Sequence, residues 1–259
     1  MKNFGKLALL GAFVTASASF ALADTINLGS YGVAGIGGYA PAVSVTNTQM
    51  MYAGSQTFTS DTTGCPVGES FCLPAFSFGS LTATGVAATN LDPTGTWSGP
   101  LSNSSWVGIN ANAGPQSTSN PQYGYYAFTT TINGLLSGYA GSLNVLADDT
   151  TAIYLTNSAG TNQLLLSLGN LGGDTHCADG TPTCLTTASI GLDLLSGDNT
   201  LTFIVEQAGT GPVGGSGDPS GVDFNATLNA TPEPSSLMLL GSGLISAAGM
   251  VLRRRRVAA

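Results

Sequence analysis

Between residues 24 and 230 the chain alternates apolar and polar residues in short segments, which Gly, Asn, Asp or Pro separate from one another. In residues 222–229 the side chains of Val222, Phe224, Ala226 and Leu228 fall on one side of an extended strand, because successive side chains point to opposite faces. Further strands are predicted at residues 125–132, 143–147, 152–155, 163–168 and 201–206, and shorter ones near 43–46, 50–58, 81–87 and 106–109. The pattern predicts an all-β domain of the β-sandwich type over residues 24–230.

The composition agrees with a secreted β-domain. Hydrophobic residues make up 42% of the chain, which is enough to bury a core although charged residues are only 8%. The 36 glycines and the many serines and threonines suit strands and turns better than helices. No long linker or internal repeat divides residues 24–230, so we treat them as one exterior domain.

The charges are segregated along the chain. All six basic residues lie at the two ends, whereas all fourteen acidic residues lie between Asp24 and Glu233. Binding to nucleic acid or to anionic lipid through a basic patch is therefore excluded for this segment. Cations, above all Ca²⁺, are the partners that such a charge favours. The alternative is that the acidity only keeps a secreted protein soluble.

Residues 1–23 have the three parts of a secretory signal peptide. Lys2 and Lys6 supply the positive start, residues 7–14 form an apolar core, and Ala21-Leu22-Ala23 offers small residues at the cleavage site. Signal peptidase would cut after Ala23 and leave Asp24 as the mature N-terminus. The protein is therefore expected to be exported.

The C-terminal end combines an apolar run with a basic block. Residues 237–252 carry no charge and are followed by Arg253, Arg254, Arg255 and Arg256. The run would span about 24 Å as a helix. This arrangement predicts a single transmembrane helix at 237–252 with its arginines in the cytoplasm and the domain outside.

Pro232-Glu233-Pro234, the apolar run and the arginine block together resemble the PEP-CTERM sorting tail of exosortase substrates. The resemblance covers residues 231–259. It implies recognition by an integral-membrane exosortase, processing near residues 232–234, and delivery to the cell surface or an extracellular matrix. The membrane is then a partner only through the C-terminal helix before processing.

From about residue 106 to residue 229 the pattern also resembles a galactose-binding-like jelly roll. The resemblance rests on residues 125–132, on the strand, Asp-rich turn and strand of residues 143–155, and on residues 195–206. It implies the jelly-roll fold of many bacterial carbohydrate-binding modules but names no ligand. Residues 156–158 depart from the family pattern.

Four cysteines form two pairs of equal spacing, Cys65 with Cys72 and Cys177 with Cys184. In an oxidising compartment we expect two local disulfides, although four cysteines allow three connectivities. A zinc site with His176 is the alternative, but the two-residue spacings of zinc ligands are absent.

Two sets of residues are candidates for binding. Asp148, Asp149, Asp218 and Asp223 are expected in loops and could hold a structural Ca²⁺, as jelly-roll modules often do. Trp97 and Tyr123 stand among Gly, Ser, Asn and Pro, so we expect their rings to be exposed and able to stack on sugars.

No enzyme is evident in the sequence. His176 is the only histidine, and no Gly-x-Ser-x-Gly motif surrounds a serine. Glu69, Glu206 and Glu233 are the only glutamates for the carboxylate pair that a glycosidase needs. We therefore expect a non-enzymatic surface or matrix protein that associates with exopolysaccharide or another glycan. A secreted hydrolase with an unrecognised site and a purely structural envelope protein remain the alternatives.

Overall fold

The fold comes from a computed structural model. It describes residues 24–33, 51–57, 86–94, 97–115, 121, 124–148, 150–168, 188–207, 219–231 and 234–257. The predicted signal peptide (1–23), all four cysteines, and the site residues Tyr123, Asp149, Asp218, Pro232 and Glu233 lie outside these ranges. The signal peptide and the disulfides therefore stay predictions.

Twelve strands and one helix occur in the described part of the chain. The strands are β1 (Thr25–Gly29), β2 (Met51–Thr57), β3 (Val86–Ala87), β4 (Thr89–Asn90), β5 (Val107–Gly108), β6 (Gly124–Leu135), β7 (Tyr139–Asp148), β8 (Thr150–Thr156), β9 (Asn162–Leu166), β10 (Ala188–Leu194), β11 (Gly197–Gln207) and β12 (Gly221–Ala230). The helix, here α1, covers Pro234–Val257.

The strands form two antiparallel sheets. Sheet A has the order β10-β7-β12-β5-β4, and β1 also pairs with β12. Sheet B has the order β3-β2-β6-β11-β8-β9. Strands β7 and β12 lie at the middle of sheet A, and β6 and β11 lie at the middle of sheet B.

The core lies between the two sheets. Phe128 and Phe203 enter it from sheet B, and Val145 and Phe224 enter it from sheet A; each is at most 1% exposed. The rings of Phe203 and Phe224 stack across the core with their centroids 4.4 Å apart. Alternate residues of each strand are buried because only one face of a pleated strand meets the other sheet.

The predicted all-β sandwich is confirmed. Residues 222–229 form β12, and Val222, Phe224, Ala226 and Leu228 all face the core, as the alternation predicts. The five other firmly predicted strands correspond to β6, β7, β8, β9 and β11. The finer assignment to a galactose-binding-like jelly roll stays a prediction.

The C-terminal tail is helical, as predicted, from Pro234 to Val257. Proline is favoured in the first turn of a helix, where its missing N–H costs no hydrogen bond. Within the described residues, no helix is long and apolar enough to cross a membrane, so the predicted transmembrane helix at 237–252 is not found.

Candidate functional site

Asp223 is a buried side chain on β12 rather than a loop residue, which corrects the position predicted for it. Its Oδ1 atom accepts a hydrogen bond from the Ser30 hydroxyl at 2.9 Å, and its Oδ2 atom accepts one from the Leu101 amide at 2.6 Å. Ser104 is a further hydrogen-bond partner. Burial raises the pKa of Asp223 to about 6 although these hydrogen bonds lower it. The carboxylate thus connects β12 to the 101–104 loop and to Ser30, which follows β1.

Asp148 ends strand β7 and has a different partner. Its Oδ2 atom accepts a hydrogen bond from the indole Nε1 of Trp97 at 2.5 Å. The register places Asp148 opposite Gly221 and Asp223 opposite Leu146, so the two acids occupy one face of sheet A, on neighbouring strands. In the ranges that the structure describes, no three His, Cys, Asp or Glu side chains form a group that could hold a metal ion. The calcium site stays a prediction.

Trp97 is buried, which overturns the expectation that it is exposed. Only 6% of its surface is accessible, and its ring stacks on that of Trp106 at a centroid distance of 4.3 Å. Together with Leu91, Ala113 and Leu146 the two tryptophans form a small second core on the outside of sheet A. A buried ring has no free face for a sugar, so Trp97 supports the fold instead.

The outer face of sheet A also carries a polar surface on strands β1, β7, β10 and β12. We call the following eight side chains the polar face: Thr25, Asn27, Ser142, Asn144, Ser189, Asn225, Thr227 and Asn229. All are exposed or half-buried. They alternate with core residues because the strands are amphipathic with a period of two. Sequence reasoning missed this surface because its members come from four separate strands.

The polar face is arranged in cross-strand rows. Ser142 lies opposite Thr227 and Thr227 opposite Asn27, which makes a middle row, while Asn144 and Asn225 belong to the row beside it. Neighbouring strands are about 4.8 Å apart, and same-face residues repeat every 6.8 Å or so along a strand. The result is a grid of short amide and hydroxyl groups.

Hydrogen bonds between side chains fix the orientations of the amide and hydroxyl groups of the polar face. The pairs are Asn144 Nδ2 to Asn225 Oδ1 (3.0 Å), Thr227 Oγ1 to Asn27 Oδ1 (3.0 Å) and Thr25 Oγ1 to Asn229 Oδ1 (2.8 Å). Asn225 Nδ2 also donates to the carbonyl and the hydroxyl of Ser102, at 2.9 and 3.1 Å. A set of donors and acceptors that is ordered in advance loses less side-chain entropy when it binds a hydroxyl-rich ligand.

The sorting tail is the second functional region. Pro234 begins α1, and Arg253 and Arg254 are exposed in its last turns. Residues 230–256 match the family model described as the PEP-CTERM protein-sorting motif. The tail carries a sorting motif. This match supports the expectation of an exosortase substrate, and it implies an exported protein that is anchored transiently in a membrane and processed for the cell surface.

Other comparisons add little about the exterior domain. No curated protein matches the chain. A β-glucosidase from Kluyveromyces marxianus, solved in complex with glucose, is 12% identical, with 85% of this chain and 20% of that chain covered and a TM-score of 0.31. An isomalto-dextranase from Arthrobacter globiformis T6, complexed with panose, is 14% identical, with 55% and 20% covered and a TM-score of 0.25.

A carbohydrate-binding module, CBM4, is 12% identical, with 43% of this chain and 73% of that chain covered and a TM-score of 0.22. This chain spans only a fifth of the length of the β-glucosidase and of the isomalto-dextranase. Since all three TM-scores are low, these likenesses support no conclusion about activity or ligand.

Proposed function

We propose that this protein is a non-enzymatic surface or matrix protein, sorted through its PEP-CTERM tail, whose exterior domain binds an uncharged polysaccharide through the polar face. The sorting part is carried by the motif match over residues 230–256. The binding part is carried by the grid of amides and hydroxyls on sheet A.

The chemistry of the polar face suits an uncharged glycan. Amide and hydroxyl groups both donate and accept hydrogen bonds, so they complement the hydroxyl groups of sugars. An anionic polysaccharide is disfavoured because residues 24–233 hold fourteen acidic residues and no lysine or arginine. Asp193, an exposed residue of β10 opposite Ala140 on the same side of sheet A, adds a negative charge beside the polar face.

Two acidic residues of sheet A have structural partners, which favours a non-enzymatic role for them. Asp148 holds Trp97, and Asp223 holds Ser30 and the Leu101 amide. A glycosidase instead needs two carboxylates that flank a bound sugar, one as acid and one as base or nucleophile. Turnover of any glycan by the purified chain, abolished by removing one acid, would establish the alternative of a hydrolase.

The binding proposal is tested by removing the middle row of the polar face. We expect the full chain to be retarded in native gels that contain dextran or galactomannan. The triple variant Asn27→Ala, Ser142→Ala and Thr227→Ala should migrate as it does in an empty gel.

The matched control is the double variant Thr131→Ala and Thr200→Ala. It removes an exposed cross-strand pair of hydroxyls, 3.3 Å apart, from sheet B instead of sheet A. It should be retarded like the wild type. Equal retardation of the triple variant, or no retardation of the wild type on any uncharged glycan, would refute binding through this face.

The sorting proposal is tested by replacing Pro232, Glu233 and Pro234 with alanine. In a host that contains an exosortase, the variant should accumulate in the inner membrane, whereas the wild type is processed and released to the surface. Fractionation followed by mass measurement distinguishes the two forms. Normal processing of the variant would refute the assignment of the motif.

A further inference from the structure

The chain enters and leaves the sandwich at the same end. The Ala230 amide donates to the Asp24 carbonyl at 2.7 Å, and the Thr231 amide donates to the Gly138 carbonyl at 2.8 Å. Asp24 directly follows the predicted signal peptide, and Thr231 directly precedes Pro232 of the sorting motif. We call the end of the sandwich that carries Asp24, Gly138 and Thr231 the exit end. Both segments that are directed to a membrane therefore join the domain at one place.

Two turns at the exit end present leucines to solvent. Leu136, in the turn between β6 and β7, is 94% exposed, and Leu195, in the turn between β10 and β11, is 50% exposed. The two turns are neighbours because Gly197 pairs with Leu135 and Leu194 pairs with Tyr139. They flank the end of β12, whose last residue, Ala230, pairs with Tyr139.

Hydrogen bonds connect the backbone in and beside both turns to neighbouring residues. The buried side chain of Asn199 accepts a hydrogen bond from the Leu195 amide at 3.1 Å and donates one to the Leu195 carbonyl at 2.7 Å. Beside the other turn, Asp198 Oδ1 at the start of β11 accepts a hydrogen bond from the Gly134 amide near the end of β6 at 2.7 Å, and the Gly138 carbonyl accepts one from the Thr231 amide. Rigid turns with apolar tips are suited to insertion into a lipid interface.

Single exposed leucines are common on soluble proteins and need no function. The position of this pair distinguishes it, because both leucines stand beside the point where the sorting tail leaves the domain. The carboxylates of Asp24 and Asp198 lie at the same end. Residues 24–231 contain no lysine or arginine, so contact with a membrane there depends on apolar insertion and not on anionic headgroups.

We propose that the exit end faces the bilayer while the tail anchors the precursor, and that Leu136 and Leu195 insert into the lipid interface. This inference rests on the membrane anchoring that the sorting motif implies. With the exit end on the membrane, Thr231 lies at the lipid surface and directly precedes, in the chain, the motif that an integral-membrane exosortase would recognise.

The inference is tested with tryptophan as a reporter of depth. The whole chain, purified from host membranes, is placed in vesicles of phosphatidylcholine with brominated acyl chains, which quench nearby indoles. Leu136→Trp should lose at least half of its added emission. Asn112→Trp is the matched control, because Asn112 is exposed and lies far from the exit end. The next residue, Ala113, accepts a hydrogen bond through its carbonyl from the Ser220 amide, just before the opposite end of β12. The added emission of Asn112→Trp should stay unquenched.

A flotation measurement separates the inference from its premise. If the chain floats with the vesicles and Leu136→Trp is quenched no more than Asn112→Trp, the tail anchors the chain but the exit end does not face the lipid. If the chain does not float at all, both membrane anchoring and the inference are overturned. As a second readout, the variant Leu136→Ser with Leu195→Ser should be processed at least threefold more slowly in an exosortase host, and an unchanged rate would contradict the proposed insertion.

Discussion

Asp223 shows how one buried carboxylate can join three segments of the chain. It lies on β12, and its hydrogen bonds reach Ser30 after β1 and the Leu101 amide in the loop before β5. The exterior domain contains neither lysine nor arginine that could compensate the carboxylate. Hydrogen bonds alone must offset the desolvation of the charged form, and the raised pKa shows that they do so only in part.

We predict that Asp223 makes stability depend on pH between about 4 and 6. Its pKa is 3.8 in an unfolded chain and about 6 in the folded one, so the folded state binds more protons in this window. The contribution is therefore fully present at low pH and is lost as the pH rises through about 6, with a total of roughly 3 kcal/mol. Urea unfolding of Asp223→Asn from pH 4 to pH 7 should show a flatter decline than the wild type.

The control for this prediction is Asp193→Asn, which removes one exposed acid from the same sheet. Its free energy of unfolding should decline with pH as that of the wild type does, because the substitution only reduces the general repulsion among the acidic residues. A decline of equal slope in all three proteins would show that Asp223 is not responsible.

At the scale of residues, the sequence predicted which strand positions face the core better than it predicted the contacts of Trp97 and Asp223. The alternation placed Phe224 and Leu228 in the core correctly, because a strand has only two faces. Trp97 looked exposed among Gly and Ser, yet it packs on Trp106 and donates a hydrogen bond to Asp148, which is 51 residues away in the chain, so no local pattern shows its burial. Asp223 looked like a loop ligand because its buried partners are about 120 and 190 residues away in the chain.

At the scale of elements, the long central strands and the edge strand β9 were predictable, whereas β1 and β10 of sheet A were not. Strands β6, β7, β11 and β12 have ten to twelve residues and clear alternation. β1 and β10 were missed, although Ile26 and Leu28 alternate in one and Leu192 and Leu194 in the other. Short strands draw their stability from tertiary pairing, here with β12 and β7, and their own sequences signal it weakly.

We predict that the β7–β12 pair tolerates no side chain at Gly141. A Cβ atom there would lie 2.1 Å from the Thr227 carbonyl oxygen and 2.9 Å from Leu228 Cδ2, so the strands would have to separate. Gly141→Ala should lower the free energy of unfolding by about 2 kcal/mol or more, as overpacking does. Thermal unfolding measures the change.

The matched control is Gly191→Ala on the neighbouring strand β10. A Cβ atom at Gly191 meets nothing within 4 Å, and the loss of chain entropy in the unfolded state favours alanine slightly. This variant should be as stable as the wild type or more so. Destabilisation of both variants to the same degree would mean that the close approach at Gly141 has no special effect.

At the scale of the whole molecule, the segregated charge is the dominant property. Residues 24–233 carry fourteen acidic residues that repel one another, and the six basic residues lie only at the ends. The sequence reveals this directly, since charge needs no structure to be counted. The pairing order of the two sheets, in contrast, depends on contacts between distant segments, which the local alternation of residues does not specify.

We predict that added salt stabilises the exterior domain. Na⁺ should raise the melting temperature progressively up to several hundred millimolar, because screening weakens the repulsion among the acids. Millimolar Ca²⁺ is compared with Na⁺ of equal ionic strength. We expect a larger rise with Ca²⁺ if the predicted calcium site exists, since a bound ion adds stability by mass action. Equal rises would remove Ca²⁺ from the partners of this protein.

The joined chain ends at the exit end determine how the domain responds to mechanical load. Asp24 and Ala230 are hydrogen-bonded neighbours, and β1 pairs with β12 over only five residues. Antiparallel hydrogen bonds lie perpendicular to their strands, so a pull between the two chain ends opens this pair one bond at a time, like a zipper. A pull spread across the polar face is instead shared by four strands at once. Under the proposed function, the domain therefore resists a load that enters through the polar face better than one that enters through Asp24 and Ala230.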